Sequence, residues 1–116
     1  ADCFRFLEQA RSRGEKWDLV VSDPPNMAPN EATRPRALVA YRKLHALCAS
    51  VLDSAGLFFA ASCSSHVGLD DFLATLGDDA LGRSDLRILE IASAGPDHPV
   101  LPGFPEGRYL KACLLG

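Results

Sequence analysis

The sequence predicts an α/β domain in which helices alternate with parallel strands and the last strand runs antiparallel. Two apolar runs of strand length, 17–22 and 57–62, are separated by a long amphipathic segment that is typical of a helix. Two more strand-like runs, 87–92 and 109–115, have no helical pattern between them, which favours an antiparallel pair at the edge of the sheet. With 116 residues, 47% of them hydrophobic, we expect one modest core and a single domain over 1–116.

Three helical patterns complete the predicted order. Residues 2–13 carry apolar side chains at three- and four-residue steps, with Asp2 as the candidate N-cap. Thr33 is the candidate N-cap of a second helix that ends near Asp53, and a third helix is expected over 69–80. Because the first strand is apolar on both sides, we predict a central strand with helices on both faces.

Composition limits the classes of function. The formal net charge of −3 gives no overall basic surface, so a nucleic acid would have to be bound locally. The four cysteines form no C-x-x-C pair, which argues against a zinc site or a disulfide framework and favours a reducing compartment. No run approaches the roughly 18 apolar residues of a membrane span, and the first residues lack a signal-peptide pattern. We therefore expect a cytoplasmic protein that contacts no membrane.

The segment Asp23-Pro24-Pro25-Asn26 follows the first predicted strand directly. The two prolines fix φ and bias the aspartate toward extended geometry, so that its carboxylate projects from the strand end. In open α/β sheets, the crevice at the carboxyl ends of the strands is where ligands bind. A stiff turn without further function is the alternative explanation of the same residues.

A polar cluster, Cys63-Ser64-Ser65-His66, follows the second predicted strand. Polar residues thus follow two predicted strands at the same end of the sheet. Cys63 lies beside polar residues, whereas the other three cysteines lie in helical or strand patterns, where cysteine behaves as a small hydrophobe. A packed thiol at a strand end is the alternative for Cys63. His66 is either a base that activates the thiol or a solvated loop residue.

These residues resemble the C-terminal half of a class I S-adenosylmethionine-dependent RNA methyltransferase, in particular the ribosomal-RNA cytosine-C5 methyltransferases that carry a PUA domain. The resemblance spans the whole chain and rests on the segments Asp2-Cys3-Phe4, Asp23-Pro24-Pro25, Tyr41-Arg42-Lys43-Leu44, Ala61-Ser62-Cys63-Ser64, Asp97-His98-Pro99-Val100 and Phe104-Pro105-Glu106-Gly107-Arg108-Tyr109-Leu110-Lys111. It implies part of a Rossmann-like catalytic domain, S-adenosylmethionine as cofactor and ribosomal RNA as partner.

The glycine-rich cofactor loop of that fold does not occur in the sequence. We therefore expect the chain by itself to bind cofactor weakly or not at all and to be inactive. The first strand would lack a neighbour on one side, and an unpaired apolar edge predicts a homo-oligomer.

The resemblance also implies roles for individual residues. Cys63 would be the nucleophile that attacks cytosine C6, and Asp23 would hold N3 and the exocyclic amine of the base. Asp2 would lie near the cofactor adenine, although it serves equally well as a helix N-cap. Asp23 with Pro24 and Pro25 would shape the site where the base approaches the methyl group.

Substrate contacts are predicted more broadly, at Asn26, Arg34, Arg36, Ser64 and His98. The arginines, together with Arg42 and Lys43, would meet RNA phosphates, although a solvated helix face fits the same pattern. His98 fits a hairpin loop as well as a substrate contact.

Two other functions remain open from the sequence. Methylation of a purine nitrogen would use the Asp-Pro-Pro-Asn segment to bind the acceptor and would need no cysteine. A non-catalytic α/β module would serve only in assembly or RNA binding.

Overall fold

The computed structural model describes residues 3–25, 30–63, 67–93 and 111–116. The elements are α1 (Cys3–Ser12), β1 (Trp17–Ser22), a 3-10 turn (Glu31–Thr33), α2 (Arg34–Ser50), β2 (Leu52–Ser62), α3 (Leu69–Ala74), α4 (Asp78–Leu81), β3 (Ile88–Ser93) and β4 (Lys111–Leu115). They form one sheet in the order β1-β2-β4-β3, with β1 parallel to β2 and β4 antiparallel to both of its neighbours. The predicted mixed α/β sheet is confirmed. None of the described helices has the length and apolar character that crossing a bilayer requires.

The predicted antiparallel pairing of the last two strands at the edge of the sheet is confirmed, but the last strand is not itself the edge strand. β4 lies inside the sheet, hydrogen-bonded to β2 on one side and to β3 on the other, and β3 forms the edge. Burial explains this order, because Cys113 and Leu115 of β4 are each 1% exposed, whereas Leu89 of β3 is 55% exposed. The more completely apolar strand takes the inner position.

Helices cover only one face of the sheet within the described residues, so the expectation that β1 is covered on both faces is wrong. On the covered face, Phe58 and Ala60 of β2 are fully buried beneath α2. On the other face, Leu19 and Val21 of β1 are each 60% exposed, and Phe59 is 37% exposed. β1 is also an edge strand of the described sheet, which explains its exposure despite its apolar composition.

Helix boundaries differ from the predictions at a glycine and at the start of a strand. The single helix expected over 69–80 is divided into two helices. α3 ends at Ala74, and Gly77, which is extended (φ −71°, ψ 165°), is the N-cap of α4. α2 begins after Thr33 as predicted, although the hydroxyl donates to the Asn30 carbonyl (2.9 Å) and makes no cap bond. The same helix ends at Ser50, before the predicted Asp53, because β2 begins at Leu52.

The first helix forms as predicted and packs against α2. Leu7 and Ala10 are its buried residues, and Gly14 ends the turn that follows it with a left-handed φ of +71°. Glycine adopts this conformation without the steric cost that a Cβ atom would impose. α1 therefore lies on the same side of the sheet as α2, beside the outer edge of β1.

Candidate functional site at the carboxyl ends of β1 and β2

The two predicted catalytic residues, Asp23 and Cys63, follow neighbouring parallel strands. Ser22 of β1 is in register with Ala60 of β2, and Cys63 comes just after the end of β2. Neighbouring strands lie about 4.8 Å apart, so both residues leave the sheet at the same edge. Asp23 is exposed and Cys63 is half-buried. The arrangement brings a carboxylate and a thiol to one end of the sheet.

Buried hydroxyl groups hold the end of β2 in place. The Tyr41 hydroxyl on α2 and the Ser62 hydroxyl are 2.8 Å apart, and both side chains are fully buried. This hydrogen bond joins the helix to the strand one residue before Cys63. The end of β2 is therefore held by a contact between α2 and the strand.

Lys111 is a further residue at this end of the sheet. It is in register with Ser62 across the β2–β4 ladder and is only 7% exposed. Burial lowers the pKa of Lys111 below its ordinary value, and the charge of Cys63 acts in the opposite direction. The sequence analysis did not assign Tyr41 or Lys111 to the site. The signal for Lys111 was a lone charge at the start of an otherwise apolar strand.

An apolar groove of about 630 Å³ runs along β1 between α1 and α2. At one end it reaches Asp23, Pro24 and Pro25, and its other walls are formed by Cys3, Phe6, Leu7, Trp17, Leu19, Val20, Val21, Ser22, Leu44, Cys48 and Val51. Apolar walls beside a few polar groups are typical of small-molecule sites. Cys63 does not line this groove.

The basic residues of α2 do not form one surface. Arg34 forms an ion pair with Asp71 of α3. The Lys43 ammonium lies 3.3 Å from Glu8 of α1. Arg36 and Arg42 are exposed. Two of the four predicted phosphate contacts are thus also links between elements, and the other two face solvent.

The cysteines differ sharply in their surroundings. Burial raises the pKa of Cys48 to about 12 and that of Cys113 to about 11, so both thiols stay protonated at neutral pH. Cys3 is exposed, which differs from the expectation that it packs as a small hydrophobe. Cys63 is thus one of two cysteines open to reaction, and it alone follows a strand end.

The candidate residues Asp2, Asn26, Ser64, His66 and His98 lie outside the described residues, as do Ser65 and the quoted segments 97–100 and 104–110. Their roles remain predictions.

Comparison with known proteins finds relatives along almost the whole chain, although no family model matches it. It is 35% identical over 117 residues to "Ribosomal RNA large subunit methyltransferase I" of Yersinia pseudotuberculosis serotype O:1b (strain IP 31758), covering 98% of this chain and 30% of that protein. The protein of the same name from Yersinia pestis bv. Antiqua (strain Angola) gives the same identity and coverage. The chain thus spans 30% of the length of these curated relatives.

Solved structures show the same fold. A putative methyltransferase, SMU.776, complexed with SAH superposes with a TM-score of 0.73 at 21% identity, over 99% of this chain and 30% of that one. A putative SAM-dependent methyltransferase from Streptococcus mutans gives 0.70 at 19% identity, over 99% and 29% of the two chains. A methyltransferase homologue from Pyrococcus horikoshii gives 0.65 at 14% identity, over 99% and 42%. The predicted mixed α/β fold is confirmed, and these methyltransferase structures share it.

Proposed function

We propose that this chain is part of the catalytic domain of an S-adenosylmethionine-dependent methyltransferase that acts on ribosomal RNA. The names of relatives at 35% identity support this activity, and the fold supports the class of enzyme. The observation that carries the proposal is the placement of Asp23 and Cys63 after two neighbouring parallel strands. Ligands of open α/β sheets bind at that end of the strands.

The proposed cofactor site is the part of the groove that ends at Asp23. The apolar walls fit a flat adenine ring, and the exposed Asp23 carboxylate would attract the positive charge of a sulfonium group. Pro24 and Pro25, which have a fixed φ and no N–H groups, would shape the site where the base approaches the methyl group. Asp2 would accept a hydrogen bond from the adenine. Bound S-adenosylmethionine would supply an electrophilic methyl group.

Cytosine C5 is the proposed target atom, with Cys63 as nucleophile. C5 is too weak a nucleophile in the intact aromatic ring, so the Cys63 thiolate first forms a bond to C6. The electron pair of the C5–C6 double bond then forms a C4–C5 double bond, which makes C5 enamine-like, and N3 takes up a proton from solvent. Asp23 would accept hydrogen bonds from this N3–H and from the exocyclic amine. Once C5 carries the methyl group, loss of the C5 proton to a base restores the C5–C6 double bond and expels the Cys63 thiolate, and N3 returns its proton to solvent.

RNA would be held by residues around this end of the sheet. Arg36 and Arg42 are exposed and can meet phosphates directly, whereas Arg34 would have to act beside its ion pair with Asp71. Asn26, Ser64 and His98 are the further proposed substrate contacts. The target base would have to leave its stack to reach Cys63. We place this activity in the cytoplasm, in a homo-oligomeric protein that carries a PUA domain elsewhere in its sequence.

Trapping with 5-fluorocytidine tests the proposed chemistry. The protein, expressed from its complete reading frame, is incubated with S-adenosylmethionine and ribosomal RNA that contains 5-fluorocytidine. Fluorine at C5 blocks the proton loss, so the Cys63–C6 bond should persist as a covalent protein–RNA adduct. Cys63→Ser should abolish the adduct, and Cys3→Ser, which removes the other accessible thiol, should retain it.

Other outcomes of this experiment are equally clear. An adduct that persists in Cys63→Ser would assign the nucleophile to another residue. Methyl transfer to unmodified RNA that survives Cys63→Ser without any adduct would favour methylation of a purine nitrogen. Neither adduct nor methyl transfer in the unchanged protein would support a non-catalytic module.

A further inference from the structure

We infer that Tyr41 is a positioning residue for Cys63, because its buried hydroxyl holds the last residue of β2 in the methyl transfer proposed above, on which this inference rests.

The end of β2 has a neighbouring strand on one side only among the described pairs. The ladder with β1 ends where Ala60 pairs with Ser22. The ladder with β4 continues for two more residues, to Ser62. Cys63 is the next residue and lies beyond the described pairs of both ladders. Backbone hydrogen bonds therefore hold the position before Cys63 less completely than the middle of the strand, and a side-chain contact there adds to what fixes it.

Tyr41 supplies this contact from α2. Its hydroxyl lies 2.8 Å from that of Ser62, and both side chains are 0% exposed. The Tyr41 ring is itself enclosed, because its centroid lies 5.8 Å from that of His45 and 6.1 Å from that of Phe72, which it meets edge-on. A hydrogen bond in the interior is electrostatically stronger than one at the surface. The contact therefore ties the strand end to a fixed point on α2.

Strand alternation makes Ser62 the residue through which the core acts on Cys63. Phe58 and Ala60 are fully buried beneath α2, whereas Phe59 between them is 37% exposed. Ser62 continues the buried series, so the same alternation turns Cys63 toward the opposite face. The core thus cannot hold the thiol through the Cys63 side chain. It holds the neighbouring residue, one peptide bond away.

The proposed attack on C6 depends on this contact. Reacting atoms must be held about 3–3.5 Å apart and aligned, and a displacement of about 1 Å can slow a reaction roughly a hundredfold. Tyr41 is 0% exposed and cannot touch RNA, so it acts on the reaction of Cys63 and not on RNA binding.

Thiol alkylation tests the contact without RNA or cofactor. The protein, expressed from its complete reading frame, is treated with iodoacetamide, and the rate at each cysteine is read by peptide mass spectrometry. Tyr41→Phe removes only the hydroxyl, so the strand end should open more often, and alkylation of Cys63 relative to Cys3 should rise about fivefold, the effect of one ordinary hydrogen bond. Ser62→Ala should give the same rise, and the double variant should add nothing further.

The rate constant of the 5-fluorocytidine adduct tests the effect on the reaction. At saturating RNA and cofactor, Tyr41→Phe should lower this rate constant roughly 10- to 100-fold, with KM for RNA unchanged. A rate constant does not depend on the fraction of folded molecules, so it separates positioning from a loss of stability. Thr75→Val is the matched control, because it removes a buried hydroxyl of the same core that bonds to His45, and it should leave both readouts unchanged.

The buried Cys48 reports whether each variant keeps its fold. If Cys48 reacts quickly in Tyr41→Phe, the core has opened, and Ser62→Ala becomes the variant that decides. Unchanged Cys63 alkylation, or an unchanged adduct rate constant, in a folded variant would overturn the inference. A missing adduct in the unchanged protein would instead be a failure of the proposed function, and alkylation would still show whether Tyr41 holds the strand end.

Discussion

His45 is a neutral histidine enclosed in the core. Its Nδ1 lies 2.8 Å from the Thr75 hydroxyl, which itself donates to the Phe72 carbonyl at 2.6 Å. Nδ1–H must therefore be the donor, and Nε2 has no partner in the described part of the chain. The rings of Tyr41, Phe58 and Phe72 surround the imidazole. Burial lowers the pKa of His45 to about 4, so protonation is strongly disfavoured in the folded state.

This burial predicts a loss of stability in mild acid. The pKa of His45 is about 4 in the folded chain against an ordinary value of 6.5, so the unfolded state binds the proton more tightly. The contribution is complete above pH 6.5 and is lost as the pH falls toward 4. Between pH 7.5 and 5.5 the free energy of unfolding should fall by about 1 kcal/mol from this group. Urea unfolding at the two pH values measures it, and equal stabilities would contradict the enclosed, neutral ring.

The candidate site residues that follow strands could be predicted from the sequence, but the residues that face them could not. Asp23 and Cys63 stand out because polar residues follow apolar runs, a pattern that is visible in one dimension. Tyr41 and His45 lie at helical spacing among apolar residues. The sequence pattern therefore marks them as core positions and does not show which polar atoms face inward. Lys111 could be assigned to this end of the sheet only after β4 was known to pair with β2, because the order of strands in a sheet cannot be predicted from local sequence patterns.

Arg83 connects the end of α2 to the start of β2. Its guanidinium donates to the carbonyls of Ala49 (2.8 Å) and Leu52 (2.7 Å) and forms an ion pair with Asp85. The side chain is only 18% exposed. A cation at the carboxyl end of a helix also offsets the partial negative charge of the last carbonyls. Arg83 therefore fixes the turn from which β2 runs toward Cys63.

Replacement of Arg83 should destabilise the whole domain through this turn. Arg83→Met keeps much of the apolar stem but leaves two carbonyls without their charged donor, so we expect a loss of roughly 1–3 kcal/mol in the free energy of unfolding. Arg83→Lys should lose less, because one ammonium can still reach a carbonyl. Asp85→Asn is the matched control for the exposed side of the contact and should cost less than Arg83→Met. Denaturant titration of the three variants measures the order, and a neutral Arg83→Met would refute the role of the turn.

Helices and strands could be predicted where their sequence pattern is local, but the residues at which they begin and end could not. α1, β1 and the start of α2 follow from apolar spacing and capping residues. β2 begins at Leu52, before the apolar run that marked it, because its first residues pair with β1 around an irregularity between Trp17 and Leu19. Gly56 lies at this irregularity, where a Cβ would come within 3.0 Å of the Asp18 carbonyl oxygen. Such a close approach between strands does not change the pattern of hydrophobic residues, so the sequence could not predict it.

The whole molecule exposes an apolar sheet face that helices do not cover within the described residues. Leu19 and Val21 are each 60% exposed, Leu57 is 41% exposed and Phe59 is 37% exposed. The parallel register pairs Leu19 with Leu57 and Val21 with Phe59, so the four side chains form one continuous patch, the open face. Contiguous apolar patches of this kind mark surfaces that bind another protein surface. The outer backbone edge of β1, unpaired among the described residues, adds hydrogen-bonding groups to the same side.

We therefore predict that the 116-residue chain self-associates through the open face and the β1 edge. Light scattering at micromolar concentration should give a mass of two or more chains. Val21→Lys puts a charge in the centre of the patch and on an edge strand, so it should shift the equilibrium toward monomer. Val39→Lys is the matched control, because Val39 is 67% exposed on α2, away from the open face, and its replacement should leave the mass unchanged. A monomeric unchanged chain, or equal effects of the two lysines, would show that the open face does not drive association.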